Sequence, residues 1–500
     1  MSITGPGSIT AANAMAQTNM MTQLDTLSQE LGTGEAAQTY SDLGTQAGMA
    51  VALGGQLSAI NGYSSTAATV GTTLSVAQSV LTQLGNAGSA VQQSVSQQGS
   101  FSLDNSGQTS IQESAASYLG QILSLLNTQV GTNYIFSGSA LNQPSVVNAN
   151  EILNGNGAQA GLTQLISERQ QADLGATGLG RLTVGGTGST VTLNADGSPF
   201  GFHIASVNSG LTGATVSGPS GTPPSVSVAL GSNPSAGSSI AFNLTLPDGS
   251  SQTITLQATT ASPPGANQFT IGSSVTATAA NLQTALTSSI TNLAQTALPA
   301  ASAIAAANGF FGSDPPQIVA GPPYDTATSL TSGTSANTVF WYTGENGSTP
   351  ALQTATAQVG PSMTIAYGMR ATEPAIASLV ANVAALAATT FSASDPNAQA
   401  SYQALSQSVV ANLNGQPGTQ SIDDIEANIA NAQTTVTNAT TLNTQTQTTL
   451  QDMLQGMEGV NQTQIGEDIL TLQNNLSASM SVTARLAQLS LVNYLAPSTG

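Results

Sequence analysis

Residues 421–460 read SIDDIEANIANAQTTVTNATTLNTQTQTTLQDMLQGMEGV, and one stripe of side chains recurs through them at alternating steps of three and four. A strict repeat of about 3.5 residues keeps one side of a helix turned toward a partner helix. The stretch therefore predicts a long helix in a coiled-coil pair. The seam of this helix consists of Ile422, Ile425, Ile429, Ala432, Val436, Ala439, Asn443, Thr446, Leu450, Met453, Met457 and Val460.

The two ends of this predicted helix carry signals of their own. Ser421 followed by Asp424 is typical of an N-cap and its first-turn acid. The phase of the seam breaks after Val460, and three glycines lie between residues 456 and 466, so we expect a joint between two helices there. Asn443 places a polar amide in the middle of the seam, where it can fix the register of the pair.

A second helix is predicted beyond the joint. The apolar stripe restarts at Ile465, Ile469, Leu472, Leu476 and Leu486, and it leads into SVTARLAQLSLVNYL at residues 481–495. Chain ends are usually polar and frayed, so an apolar helix at this position predicts a partner surface. The last stripe consists of Val482, Leu486, Leu489, Val492 and Leu495.

The N-terminal end mirrors this arrangement. A first apolar stripe stops before Gly32 and Gly34, and a longer run extends from about residue 43 to 98. As one helix, that run would be roughly 80 Å long. A third run at residues 111–125 follows a turn at LDNSG. The first stripe consists of Ile9, Ala16, Met20, Leu24, Leu27 and Leu31.

Proline separates the middle of the chain from its ends. Seventeen of the 21 prolines lie from Pro144 to Pro374, and proline is poorly tolerated inside helices. Residues 240–258, IAFNLTLPDGSSQTITLQA, alternate on both sides of a Pro-Asp-Gly turn and predict a β-hairpin. PFGFHIASV and TVTL are predicted strands. Residues 278–298 are a predicted helix that ends before Pro299, and we expect one or two helices in the whole insert. The fold class is therefore α+β, with a long coiled-coil-like helical bundle formed by both chain ends and a β-rich central insert.

The composition excludes several classes of function. Only 5% of the residues are charged, against roughly 25% in a typical soluble protein. The chain has no lysine, four arginines and a net charge of −19, so a nucleic-acid-binding surface has almost nothing to build on. The absence of cysteine excludes disulfides, thiolate zinc sites and a cysteine nucleophile. Residues 375–391 are shorter than the ~20 apolar residues of a membrane span, so we expect a buried helix and no membrane insertion.

Four segments, taken in order, resemble a known family. They are LDTLSQELGTGEAAQTYSDLG (24–44), LNTQVGTNYIFSGS (126–139), AYGMRATEPAI (366–376) and LQNNLSASMSVTARLAQLSLVNYL (472–495). They resemble bacterial flagellin-like axial proteins and, among these, the hook–filament junction proteins (hook-associated proteins of type 3) of the alphaproteobacterial type. Glu35 stands where a basic residue is usual, and Ser41-Asp42 replaces the Asp-Asp pair of filament flagellins. These departures favour a junction protein over a filament subunit.

The resemblance implies a structural subunit of the bacterial flagellum and no enzyme or cofactor. Such a subunit joins hook to filament by helical self-assembly through its terminal helices. It is extracellular and is exported through the flagellar type III route without a cleaved signal peptide. Its partners are further copies of itself, other hook-associated proteins and flagellin, and the resemblance also allows for an export chaperone.

The implied domains follow from the same resemblance. The N- and C-terminal helices of a polymer-core domain occupy residues 1–42 and 461–500, and the two halves of a helical rod occupy 43–137 and 373–460. The β-rich variable insert occupies 138–372, and we expect its hairpin at 240–258 to be dispensable for assembly. The expected assembly interface consists of Ile9, Met20, Leu24, Leu27, Leu472, Leu476, Leu486, Leu489 and Leu495.

Other residues permit alternative functions. His203 lies in a strand-like pattern without a nucleophile-elbow motif, so an ordinary strand residue is favoured over a catalytic triad. Asp423-Asp424 and Glu467-Asp468 are interpreted as acids at helix starts, and GLGRLTVGG lacks the strand-to-helix setting of a phosphate loop. Trp341, in FWYTGENG, is expected to lie in a strand and to pack against neighbouring aromatics rather than to stack on a sugar. A secreted glycoside hydrolase using two carboxylates, an adhesin and a filament flagellin remain the competing functions.

Overall fold

The structure is a computed structural model that describes residues 6–36, 39, 43–97, 101–415 and 417–494. It is a mixed protein with helices at both ends and several small sheets. The chain forms two compact units. The terminal unit comprises Met1–Thr69, Gln358–Thr364 and Thr435–Gly500, and the central unit comprises Val70–Ala357 and Ile365–Thr434.

Helices account for most of the regular structure. The α-helices are α1 (Pro6–Thr33), α2 (Ala47–Ser96), α3 (Ser110–Leu126), α4 (Ala149–Asn154), α5 (Leu162–Leu174), α6 (Val275–Gln295), α7 (Ala297–Phe311), α8 (Pro374–Ala388), α9 (Ala398–Leu413), α10 (Ile422–Glu458) and α11 (Gln462–Tyr494).

The strands lie between α3 and α8 in the sequence. They are β1 (Gln129–Val130), β2 (Asn133–Tyr134), β3 (Leu182–Thr187), β4 (Thr190–Ala195), β5 (His203–Ser209), β6 (Ala214–Ser220), β7 (Ser225–Leu230), β8 (Ser239–Thr245), β9 (Ser251–Thr259), β10 (Gln268–Thr270), β11 (Gln317–Val319), β12 (Leu330–Ser332), β13 (Thr356–Gly360) and β14 (Met363–Ala366).

The long helix α2 shows that most of the run between residues 43 and 98 is one continuous helix, which the sequence had left open. It runs for 50 residues and passes through glycines that have low intrinsic helix propensity. Its apolar side is buried along most of its length, from Ala50 to Val95. Packing of an apolar face stabilises helices more than propensity does, which explains why the glycines do not interrupt it.

Helix α10 follows the predicted seam up to Leu450 and departs from it at Met453. Met453 is 47% exposed, while Leu454 and Met457 pack with Leu53 and Leu450. The prediction of Met453 as a seam residue is therefore wrong. Met453 and Leu454 are adjacent and both apolar, so the spacing alone could not show which of them continues the seam. Leu454 is the one that packs against residues of α2.

Asn443 is buried, as its seam position predicts, and its partner lies on a hairpin of the terminal unit. Its Nδ2 donates to the carbonyl oxygen of Val359, 2.8 Å away. Val359 is itself fully buried. The amide thus ties α10 to the segment Gln358–Thr364, so a buried polar group is satisfied by backbone.

The central unit contains the buried helix expected at residues 375–391. Helix α8 is buried nearly all round, and Leu379 lies so close to Gly88 of α2 that a Cβ there would be 3.0 Å from its Cδ1. In the part of the chain that the structure describes, no helix is long and apolar enough to span a membrane.

Two four-stranded sheets share a core with α6. Their strand orders are β3-β4-β7-β6 and β10-β9-β8-β5, and Phe202, Phe242 and Phe269 lie in the core between them and α6. The predicted hairpin at 240–258 is confirmed as the antiparallel pair β8 and β9. These are the two inner strands of their sheet, so removing the hairpin would remove much of this core.

The middle of the chain contains more helix than predicted. Four helices, α4 to α7, lie between residues 138 and 372, where one or two were expected. The predicted stop before Pro299 is correct for α6, but α7 begins two residues earlier at Ala297. Proline is tolerated in the first turn of a helix because its missing N–H has no intrahelical acceptor there.

A buried charged cluster links α5 to the loop before β5. The Arg169 Nε donates to Asp173 Oδ2 over 2.8 Å, and the backbone N–H of Gly201 donates to Asp173 Oδ1 over 2.8 Å. Phe200 lies between Arg169 and Arg181, whose guanidinium carbons are 5.1 and 5.6 Å from its ring centre. Burial raises the pKa of Asp173, and the Arg169 charge opposes that shift.

The start of α10 confirms the predicted cap. Ser421 donates from its backbone N–H and its hydroxyl to Asp424 Oδ2, each over 2.8 Å, and the Asp424 N–H donates back to Ser421 Oγ. This reciprocal pattern satisfies donors that the helix leaves unpaired.

The hydrogen bonds from Ser421 hold the pKa of Asp424 below its ordinary value of 3.8. Because the folded pKa is lowered, the contribution of this cap to stability is present above the unfolded pKa and is lost as the pH falls through the folded value. We expect Ser421→Ala, which removes the hydroxyl donor, to raise the Asp424 pKa part of the way back. Titration of the Asp424 carboxyl carbon by NMR measures this, and an unchanged pKa would contradict the assignment of the cap.

Candidate assembly interface

Helices α1 and α11 lie side by side in the terminal unit and run in opposite directions. Gln17 Nε2 donates to Ser479 Oγ over 3.3 Å and to Thr483 Oγ1 over 3.0 Å. At the other end, the Val460 N–H donates to the carbonyl oxygen of Gly34 over 3.1 Å. Segments more than 420 residues apart in the sequence are thus joined at both ends of this pair, here called the terminal pair.

The facing sides of the terminal pair follow the three-and-four spacing of a helix seam. Most of these side chains are only half-buried, because each helix of the pair covers one side of the other. Ile465 is the exception, at 6% exposure. The seam consists of Asn13, Gln17, Met20, Leu24, Leu27 and Glu30 on α1, and Ile465, Ile469, Leu472, Leu476, Ser479, Thr483 and Leu486 on α11.

Six of the nine predicted interface residues lie on this seam: Met20, Leu24, Leu27, Leu472, Leu476 and Leu486. Ile9 and Leu489 lie in α1 and α11, but their side chains are outside the described structure, and Leu495 is outside the described residues.

Val482, the first residue of the terminal stripe, is off the seam, whereas Leu486 of the same stripe lies on it. Val482 is 52% exposed, and Leu31, at the end of α1, is 38% exposed; Ala16 is exposed as well. Alternating steps of three and four residues from Ile465 lead to Ser479 and Thr483, which lie on the seam in place of Val482. The sequence prediction missed these two positions and Gln17 because it selected apolar residues instead of every position at the seam spacing.

Large apolar side chains also lie on the outer sides of the terminal pair. Isolated exposed apolar residues are common in proteins, but several on a two-helix element suggest a further contact surface. The exposed fractions are 72% for Met15, 46% for Met21, 62% for Leu470, 43% for Met480 and 52% for Val482.

The terminal pair carries the one exposed arginine of the chain. Arg169, Arg181 and Arg370 form ion pairs with Asp173, Asp196 and Glu345. Arg485 is exposed on α11 and, among the residues that the structure describes, forms no ion pair.

Two of the motifs that carry the family resemblance meet in the central unit. The Gly138 N–H donates to the Met369 carbonyl oxygen, and the Ala371 N–H donates to the Phe136 carbonyl oxygen, each over 2.9 Å. Arg370 pairs with Glu345 beside them. The segments where the chain enters and leaves its middle part are therefore joined by backbone hydrogen bonds across more than 230 residues.

The residues that offered alternative functions have ordinary surroundings. His203 opens β5, is exposed and lies opposite Thr245. Trp341 is 2% exposed and lies edge-on to Phe311 at 5.1 Å, which confirms the packing interpretation, although it lies in a loop rather than a strand. No group of acidic or histidine side chains among the described residues could hold a metal ion.

The prediction that Glu467 and Asp468 lie at the start of a helix is wrong. The helix begins at Gln462, and Asn461 Oδ1 accepts from the Thr463 N–H over 3.1 Å. An asparagine that bonds the first turn is a strong N-cap, so Asn461 sets the helix start and the two acids lie in the second turn.

No protein-family model matches the chain, and no curated protein has a matching sequence.

Trypsin is expected to cleave the folded chain first after Arg485, releasing residues 486–500. The chain has no lysine, and the side chains of Arg169, Arg181 and Arg370 are 9%, 8% and 10% exposed. Mass spectrometry of a short digest measures the order of cleavage, with urea-unfolded protein as the control in which all four sites are cut. Early cleavage after Arg181 or Arg370 would contradict the central unit described above.

Proposed function

We propose that this chain is a structural subunit of the bacterial flagellum that joins hook to filament by helical self-assembly through α1 and α11. The observation that carries the proposal is the terminal pair. Its seam is only half-buried, and large apolar residues remain exposed on its outer sides. Neighbouring copies would cover these residues, and the free energy of burying them would drive assembly.

In this proposal the helices of both ends form a coiled-coil-like bundle, and the strands belong to a variable insert. The antiparallel terminal pair, the seam of α10 and the apolar side of α2 support such a bundle. The join between residues 136–138 and 369–371 supports a boundary where the insert leaves the helical part. The low charge of the chain, 5% of residues, suits close packing of many copies.

Removal of residues 466–500 tests the proposal. Purified full-length chain is expected to bind the distal ends of isolated hooks and to form assemblies that negative-stain images show. The truncated chain is expected to do neither, because α1 loses its partner. The central unit, which contains none of these residues, should keep its melting transition and so serves as the internal control.

Binding of the truncated chain to hooks at the full-length level would overturn this role of the terminal pair. Full-length chain that binds neither hooks nor filaments and never self-associates would overturn the proposed function.

A further inference from the structure

Arg485 is the one exposed arginine among the described residues. The chain has no lysine, and its three other arginines are largely buried and paired. Any ion pair between two copies that requires a guanidinium must therefore use Arg485.

Two carboxylates of α1 lack a cation. Glu30 lies in the last turn of α1, and that turn contains no basic residue. Carboxylates are unfavourable at the C-terminal end of a helix because the backbone carbonyls there carry partial negative charge. Asp25 is exposed on the same helix, whereas Glu30 is half-buried at the edge of the seam, and neither acid forms an ion pair among the described residues. A cation from outside the chain would relieve this repulsion.

The cation and these acids lie toward opposite ends of the terminal pair. Gln17 contacts Thr483, and Gly34 contacts Val460, so Arg485 lies near the start of α1 whereas Glu30 lies near the start of α11. At a rise of about 1.5 Å per residue, roughly 30 Å separates Arg485 from Glu30 along the pair. Between them, residues 6–24 and 469–484 contain no charged side chain.

We infer that Arg485 of one copy forms an ion pair with Asp25 or Glu30 of a second copy, so that terminal pairs meet head to tail. The inference rests on the proposed self-assembly and adds the direction and the contact residues. The separation prevents Arg485 from reaching Glu30 in its own chain, and charge complementarity selects a second copy as the partner. A head-to-tail contact leaves each outer end free and extends into an open assembly, whereas a reciprocal side-by-side contact that uses both ends would close as a dimer and would contradict this inference.

Charge reversal with rescue tests the inference. The variants are Arg485→Glu, the double variant Asp25→Arg with Glu30→Arg, and the combination of all three. Either reversal alone is expected to raise the protein concentration needed for assembly about tenfold at low salt, since it replaces attraction with repulsion. The combination restores opposite charges at the contact and is expected to return that concentration to within about twofold of the wild-type value.

Sedimentation of assemblies measures the concentration, and circular dichroism of the monomers checks that helix content is unchanged. High salt should reduce the difference between variants because it screens exposed ion pairs. Assembly of Arg485→Glu at the wild-type concentration, or failure of the combination to recover, would overturn the head-to-tail ion pair and leave the proposed function standing. A wild-type chain that neither assembles nor binds hooks would instead overturn the proposed function, and this inference with it.

Discussion

Replacing Leu476 and Leu486 together with Asp is expected to abolish self-assembly and leave the melting transition of the central unit unchanged. Both leucines lie on the seam of α11. Holding an unpaired carboxylate in an apolar interface costs more than about 3 kcal/mol, so α11 would separate from α1 instead. Neither residue belongs to the central unit, whose stability should therefore not change.

A matched control keeps the added charge and moves it off the seam. Gln473 and Gln488 are exposed on α11, so Gln473→Asp with Gln488→Asp should leave α1 and α11 paired. Trypsin cleavage after Arg485 reports the pairing in the monomer: it should be faster in the leucine double variant and unchanged in the control. Wild-type assembly by the leucine variant, or a lowered melting temperature of its central unit, would show that the seam has been assigned wrongly.

The Asp173→Ala substitution is expected to destabilise the central unit by roughly 3–5 kcal/mol, because it leaves the Arg169 guanidinium buried without a counter-charge. The Asp173 side chain is fully buried, and that of Arg169 is 9% exposed. Gly201 would lose its acceptor as well. Urea unfolding monitored by the fluorescence of Trp341, which lies in the same unit, measures the change in the free energy of unfolding.

The chain offers a control of the same chemistry at a more open site. Asp196 pairs with Arg181, and the Asp196 side chain is 39% exposed. The Arg181 guanidinium keeps its hydrogen bond to the Ala172 carbonyl oxygen when Asp196 is removed, so Asp196→Ala should cost less than Asp173→Ala. Replacing both buried partners, as Arg169→Met with Asp173→Leu, should recover most of the stability because no uncompensated charge remains. Equal losses for Asp173→Ala and Asp196→Ala would contradict the role of burial.

The helical seams could be read from the sequence because a period of 3.5 residues is a local signal. It gave the positions of Leu472, Leu476 and Leu486 and the joint before Asn461. It was ambiguous where two apolar residues are adjacent, as at Met453 and Leu454, and it failed where the seam is polar, as at Ser479 and Thr483. In those places the facing helix decides which side chain is covered, and spacing alone carries no such information.

The middle of the chain was less predictable because its contacts are not local. The β8–β9 hairpin has a turn signal, and it was found. The pairing of Phe136 with Ala371 and of Glu345 with Arg370 joins distant segments, and no spacing predicts it. Proline at 299 was read as the end of helical structure, whereas it lies in the first turn of α7.

The pairing of α1 with α11 also sets an order of events as the chain is synthesised. The residues that meet, Gln17 and Thr483, are 466 positions apart, and contacts between distant positions form slowly because a long loop must close first. The central unit ends at Thr434 and can fold before α11 has emerged. Until then α1 lacks α11 as its partner, so the terminal pair is the last part of the described fold to form.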